Sequence, residues 1–379
     1  MKGGFGKAKS SFYFSKATVI SMNDTSSWKI ISNCKLLCRV GEKYIYYRKG
    51  VLYSGDSDGN GMTCLLTLPS TPVKKSIIKS RALERVARLE PRLAVALNET
   101  EFLLSYQGRI IRINLNGTMQ VEHNYCPTMN NPISFCVVGS RIIYGEYCGN
   151  SNRTEVSVYE RFNNGEWKNV FTFPAGKIQH IHQICYDEYR DYFWVLTGDQ
   201  NNECALWRMN TDYSDAVPVF SGEQKYRSCF IMPRPDGIAY ATDTPLEQNS
   251  IYFSRAQNDL SWSVPEAIFE MPGPCIYGTK LQDGRFIMAT SVEPDASLPT
   301  YRYRITRKLG KGVRDRNTYL ICGNQNGEFE EIARFKKDPL NMWLFQFGNI
   351  LFPNIGNTNR ILCTGQALRG IDGKTIEVF

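Results

Sequence analysis

Two of the three histidines in this 379-residue chain stand two positions apart, His180 and His182, with Ile181 between them. Alternate side chains of an extended strand share a face, so both imidazoles are expected to look one way while Ile181 turns into the packing. Imidazole titrates near neutral pH and suits general acid or base work. A pair could also ligate a metal, but a metal needs a further ligand and no third histidine is close in sequence. The reading adopted is catalytic, with no metal and no cofactor expected. Carboxylates recur on both sides of the pair: Glu146, Asp199 with Glu203, Asp243 and Glu293. Paired carboxyl groups run glycoside hydrolysis, their separation deciding retention or inversion. Arg227, close to Gln224, carries the planar fork that binds a substrate carboxylate bidentately. The candidate catalytic residues are therefore His180, His182, Asp199 and Asp243. The candidate substrate-binding residues are Glu146, Tyr147, Asn150, Arg153, Glu203, Gln224, Arg227, Asn249 and Glu293. A plainer alternative for Asp199 and Asp243 is that each bonds the amides of its own Thr-containing turn.

The elements that must position these residues read as short β-runs almost throughout, rich in aromatic and β-branched side chains, such as Arg141-Ile142-Ile143-Tyr144 and Phe193-Trp194-Val195-Leu196. Four polar clusters each follow such a run: Gly145-Glu146-Tyr147, Thr197-Gly198-Asp199, Thr242-Asp243-Thr244 and Thr290-Ser291-Val292-Glu293. Their spacing is about that of a four-stranded propeller blade, roughly 40–50 residues. Hairpin turns fall near Gly59, Gly117, Gly165, Tyr213, Asp259, Gly327 and Gly373, and the two long intervals hold basic insertions at about 73–92 and 294–316. In the first, Leu83, Val86 and Leu89 have helical spacing; the second contains Tyr301-Arg302-Tyr303-Arg304.

The expectation is one all-β propeller over 1–379, built of four-stranded blades. Seven hairpins favour seven blades; six stays open, because segments 12–20 and 374–379 could share a closing blade. In a propeller the strands of each blade run A to D from axis to rim, alternately up and down. B–C loops and D–A connections then share one face, and all the polar clusters fall on it, around the central channel.

Composition narrows the function classes. An apolar fraction of 42% with 12% aromatics supports a packed core, and a net charge of +8 is compatible with acidic glycans without requiring nucleic acid. No stretch approaches the roughly 18 apolar residues of a membrane span. The twelve cysteines include no Cys-x-x-Cys pair and sit mostly in apolar runs, as buried thiols of a reducing cytoplasm do.

The segments Tyr159-Glu160-Arg161-Phe162-Asn163-Asn164-Gly165-Glu166-Trp167 and Ser254-Arg255-Ala256-Gln257-Asn258-Asp259-Leu260-Ser261-Trp262 resemble the Asp-box, or BNR, turn of sialidase-like propellers, Ser-x-Asp-x-Gly-x-x-Trp. The first lacks the Ser and Asp, and the second has Asp259 in place of Gly. The region 144–293 is similar to a group of bacterial BNR-type propellers encoded beside surface-polysaccharide genes. The resemblance implies the fold and a link to glycans, with no catalytic assignment; the Arg-Ile-Pro signature of true sialidases is missing. The function expected is a carbohydrate-active hydrolase or lyase acting on an acidic or decorated oligosaccharide. The alternative is a noncatalytic propeller that binds a glycan or a protein partner of a polysaccharide assembly system.

Overall fold

The computed structural model describes residues 27–127, 129–257 and 261–379. Seven four-stranded antiparallel sheets follow one another around a ring, and the protein is a seven-bladed β-propeller. Blade 1 runs from Lys35–Val40 to Thr63–Thr67, blade 2 from Leu93–Ala96 to Met119–Asn124, and blade 3 from Cys136–Val138 to Trp167–Phe173. Blade 4 runs from Ile181–Asp187 to Ala216–Ser221, blade 5 from Ser228–Arg234 to Glu266–Met271, and blade 6 from Cys275–Lys280 to Phe329–Lys336.

Second strands are apolar on both faces because neighbouring blades cover both. In blade 4 every residue of Tyr192–Thr197 is buried. Ile143 and Val158 of blade 3 share one core with Phe193 and Val195 of blade 4, and Leu37, Ile45, Leu104 and Ile111 join blades 1 and 2. Each such side chain contributes about 1.5–3 kcal/mol on burial.

Blade 7 closes the ring with strands from both ends of the described chain. Asn349–Leu351, Ile361–Gln366 and Thr375–Val378 are its inner three strands, and Trp28–Ser32 adds the rim strand, pairing Trp28 with Val378. The expected closing segment 12–20 lies outside the described residues. The turns at Gly59, Gly117, Gly165, Tyr213 and Gly327 join third and fourth strands, while Asp259 lies outside the described residues. Gly373 instead belongs to the loop between the second and third strands of blade 7, because that blade's fourth strand comes from the other end of the chain.

The first insertion forms two helices, Pro72–Lys79 and Arg81–Val86, the former starting with Thr71 as cap and proline in its first turn. Of the apolar residues at helical spacing, Leu89 is buried and Val86 half-buried, but Leu83 is 51% exposed, whereas Glu84 and Arg85 are 2% and 3% exposed. Charge pairing decides this. Arg81 grips Asp372 of blade 7 through two bonds of 2.9 and 3.0 Å and meets Glu90 at 2.6 Å, and Arg85 reaches Asp338 at 2.6 Å and the Phe345 carbonyl. The second insertion carries a short helix, Thr300–Ile305. Among the described residues no helix is long and apolar enough to cross a membrane. Cys34, Cys38, Cys136, Cys204, Cys229, Cys275, Cys322 and Cys363 are buried free thiols.

Candidate functional site

Local backbone devices aim the polar residues. In blades 4, 5 and 6 the second strand ends on a threonine, Thr197, Thr242 or Thr290, and each hydroxyl ties the start of the following loop to the third strand. Thr197 donates to the Glu203 carbonyl at 2.9 Å, Thr242 accepts from the Ser250 amide at 2.9 Å, and Thr290 accepts from the Tyr319 amide at 2.9 Å. The recurring Thr of the sequence pattern is thus a clamp for the loop that carries the acid. Gly198 follows in the left-handed region (φ +115°), and a Cβ there would overlap the Cys204 backbone, so only glycine delivers Asp199 to its place.

The inner strands of the same blades are each bulged near their start. Pairing slips between Ile181 and Gln183, between Ser228 and Phe230, and between Cys275 and Tyr277. The extra residue in the first two cases is His182 and Cys229. A bulge re-aims side chains beside a site, and here it lets His180 and His182 meet although the strand is not regular between them.

The two imidazoles touch, Nε2 to Nε2, at 2.9 Å. Each Nδ1 faces a backbone carbonyl, that of Cys148 at 2.8 Å for His180 and that of Ser228 at 3.0 Å for His182. A carbonyl only accepts, so both Nδ1 atoms carry the hydrogen and both Nε2 lone pairs point into the site. Asp199 lies across from them, its Oδ2 3.7 Å from His180 Nε2 and its Oδ1 3.6 Å from His182 Nε2. Arg227 completes the group, 3.0 Å from Asp199 Oδ1 and 3.8 Å from Asp243 Oδ2. The Cys229 thiol donates to Asp243 Oδ2 at 3.2 Å, and the Ser291 hydroxyl donates to Glu293 at 2.5 Å. The Tyr147 ring packs against His180, with centroids 4.5 Å apart.

The electrostatics are uneven. Burial opposes the charge on Asp199, yet Arg227 and the two imidazoles outweigh it and hold that carboxyl well below the ordinary range. Burial pushes Glu293 up to about 8, and neighbouring Asp243 adds to the effect. Asp243 is raised as well, by burial against the pull of Arg227. Burial, then His182, lowers His180 to about 4. One carboxyl that stays ionised beside one that holds its proton, Asp199 beside Glu293, is the arrangement acid–base catalysis needs.

The structure thus gathers His180, His182, Asp199, Arg227, Asp243, Glu293 and Tyr147 from blades 3 to 6. The other candidates hold loops. Glu146 accepts from the Ser157 amide at 2.8 Å, and Asn150 accepts from the Thr154 amide at 2.9 Å. Arg153 and Glu203 pair with each other. Gln224 donates to the Asp199 carbonyl at 3.1 Å, and Asn249 bonds the Thr244 backbone at both its amide and its carbonyl. These residues position the site rather than line it. Cys229 and Tyr303 belong near it and were not singled out in the sequence. Cys229 could be found from its place two residues after Arg227, matching the offset of His182 from His180. The charges of Glu293, Arg227, Asp199 and Asp243 all act on the Tyr303 hydroxyl, so the helix of the second insertion comes close to the cluster.

Beside the site, a chamber of about 530 Å³ on the ring axis is lined by Tyr147, Tyr277, Arg92, Asn131, Gln346 and Gln366, among others.

No protein-family model and no curated protein matches the sequence. Among solved structures, the chain is similar to YCF48 from Cyanidioschyzon merolae, with a TM-score of 0.53 and 11% identity over 93% of this chain and 99% of that one. It is also similar to a chain of the mitotic checkpoint complex, with a TM-score of 0.52 and 9% identity over 100% of both chains. The likeness is one of fold. At such identities it carries no function across.

Proposed function

We propose that this propeller is a carbohydrate-active enzyme of hydrolase or lyase type that acts on an acidic or decorated oligosaccharide. The observation that carries the reading is the meeting of His180, His182, Asp199 and Arg227 beside a polar axial chamber. The chamber volume falls in the usual range for small-ligand sites, about 300–1,000 Å³. Its amides and tyrosines suit sugar hydroxyls, and its arginines suit an acidic substituent. Arg227 is already enclosed by carboxylates, so the arginines left for a substrate carboxylate are Arg88 and Arg92, which line the chamber and take part in no ion pair among the described residues. The imidazole Nε2 atoms are the proton acceptors, and Glu293, which burial keeps protonated, is the acid side of the pair. The worn Asp-box turns and the resemblance to propellers encoded beside surface-polysaccharide genes support the same substrate class. The free thiols favour a cytoplasmic setting, in which the substrate would be a nucleotide- or lipid-linked precursor.

The test is incubation of the chain with oligosaccharides from the producer's own surface polymer, with products weighed by mass spectrometry. Gain of water marks a hydrolase, and an unsaturated product of unchanged total mass marks a lyase. Asp199→Ala is expected to lower turnover by about 100-fold or more while glycan binding persists. A wild-type chain that binds the glycan and converts none of it is a noncatalytic binder, and the proposal is then wrong.

A further inference from the structure

We propose that His180, His182 and Asp199 bind one divalent transition-metal ion. The site is formed by the same side chains that carry the glycan reading, and an ion there would take the two Nε2 lone pairs which that reading uses as bases; its binding is measured without any sugar and does not depend on that reading. Both Nδ1 hydrogens are committed to carbonyls, so two lone pairs face each other at 2.9 Å with no hydrogen of their own between them. Something positive must lie between such atoms, either a proton or a cation. The Asp199 carboxylate faces the same point from 3.6 and 3.7 Å. A triangle with these sides, taking the carboxylate as one corner, has a centre about 2 Å from each ligand, the length of a metal–imidazole or metal–carboxylate bond. Asp199 supplies the third ligand that the sequence around the histidines lacks.

Two imidazoles and one carboxylate with remaining positions open is a recurrent ligand set for divalent transition metals. The surroundings have the features of a built site. Each histidine is oriented through its other nitrogen, and Arg227 orients the carboxylate from 3.0 Å. The histidines are both buried, while the Asp199 side chain is 29% exposed, which leaves one side open to water or a ligand. A second set, His182, Cys229 and Asp243, shares the His182 nitrogen and so cannot be filled at the same time; it offers only one imidazole.

The experiment is calorimetric titration of the full chain, stripped with EDTA, with Mn²⁺, Co²⁺ and Zn²⁺ in turn. One equivalent is expected to bind, and His182→Ala and Asp199→Ala should each weaken binding at least about 100-fold. Nuclear magnetic resonance of the wild type needs no variant: Mn²⁺ should broaden the ring signals of His180 and His182 and leave His123, on the rim of blade 2, sharp. Failure of all three ions to bind stoichiometrically, or broadening that spares the pair, overturns the proposal. A protein that binds the ion but turns over no sugar leaves it intact and refutes only the glycan reading.

Discussion

The same face of the ring is built in two ways. Over blades 1 and 2 the second and third strands are joined by tight turns at Lys49-Gly50 and Gln107-Gly108, and the helix pair lies across the space they leave. There the buried charges balance. Lys35, Arg81, Arg85 and Lys337 stand among Glu84, Glu90, Asp338 and Asp372, with Arg81 and Arg85 clasping blade 7 to blade 1. Over blades 3 to 6 the corresponding loops are long, and the charges do not balance, since one arginine serves three carboxyl groups. Buried ionic groups that are matched one for one act as a structural clasp. A buried group left short of positive charge must hold protons or bind a cation, and that is the mark of a site with work to do.

The contrast can be broken most strongly at the clasp. Arg85→Ala leaves Asp338 and the Phe345 carbonyl without their guanidinium and is expected to cost about 3–5 kcal/mol in urea denaturation, with metal binding at the site unchanged in the folded fraction. A cost below about 1 kcal/mol would make the network ornamental. A second effect, visible only across pH, belongs to Glu293. Its folded pKa of about 8 lies above its ordinary value of 4.5, so the folded state keeps the proton longer than the unfolded state. The wild type should therefore lose stability as pH rises from about 4.5 to about 8 and level off above it. Glu293→Gln cannot ionise, so its stability curve should diverge upward from the wild type over that window; parallel curves would contradict the assignment. The smallest effect lies on the opposite face. Asn164→Ala removes two exposed bonds, to the Glu166 amide and carboxylate, in a worn Asp-box turn, and should change stability by no more than about 0.5 kcal/mol and turnover not at all. A loss of turnover there would move the functional face.

What the chain discloses before folding is uneven for physical reasons. The four-stranded blades and the loops that carry Glu146, Asp199, Asp243 and Glu293 follow from strand alternation and turn spacing, which are local signals; seven blades against six stays open on those signals, because the rim strand of blade 7 comes from the other end of the chain. The clamp role of Thr197, Thr242 and Thr290 is visible only once their hydroxyls find partners in the next strand. The bulge at His182 has no sequence signature, yet it brings the two imidazoles together. The helix Arg81–Val86 shows the limit most plainly. Its leucine should have been the buried residue, but partners some 250 to 290 residues away, Asp338 and Asp372, draw Arg85 and Arg81 inward instead. No window along the chain contains that information.

The closing blade has a consequence for how the molecule comes into being. Trp28–Ser32 pairs with Thr375–Val378, so a ribosome must add about 350 residues between making one strand and its partner, roughly 20–70 seconds at ordinary synthesis rates. Blades can stack in order during that time, but the ring stays an open arc with an unpaired rim strand at its leading end. Helix Arg81–Val86 waits in the same way, its arginines made long before Asp338 and Asp372 emerge. Both latches engage only when the last blade arrives, so the clasp and the axial chamber, which blade 7 helps to line, are completed in the same late step.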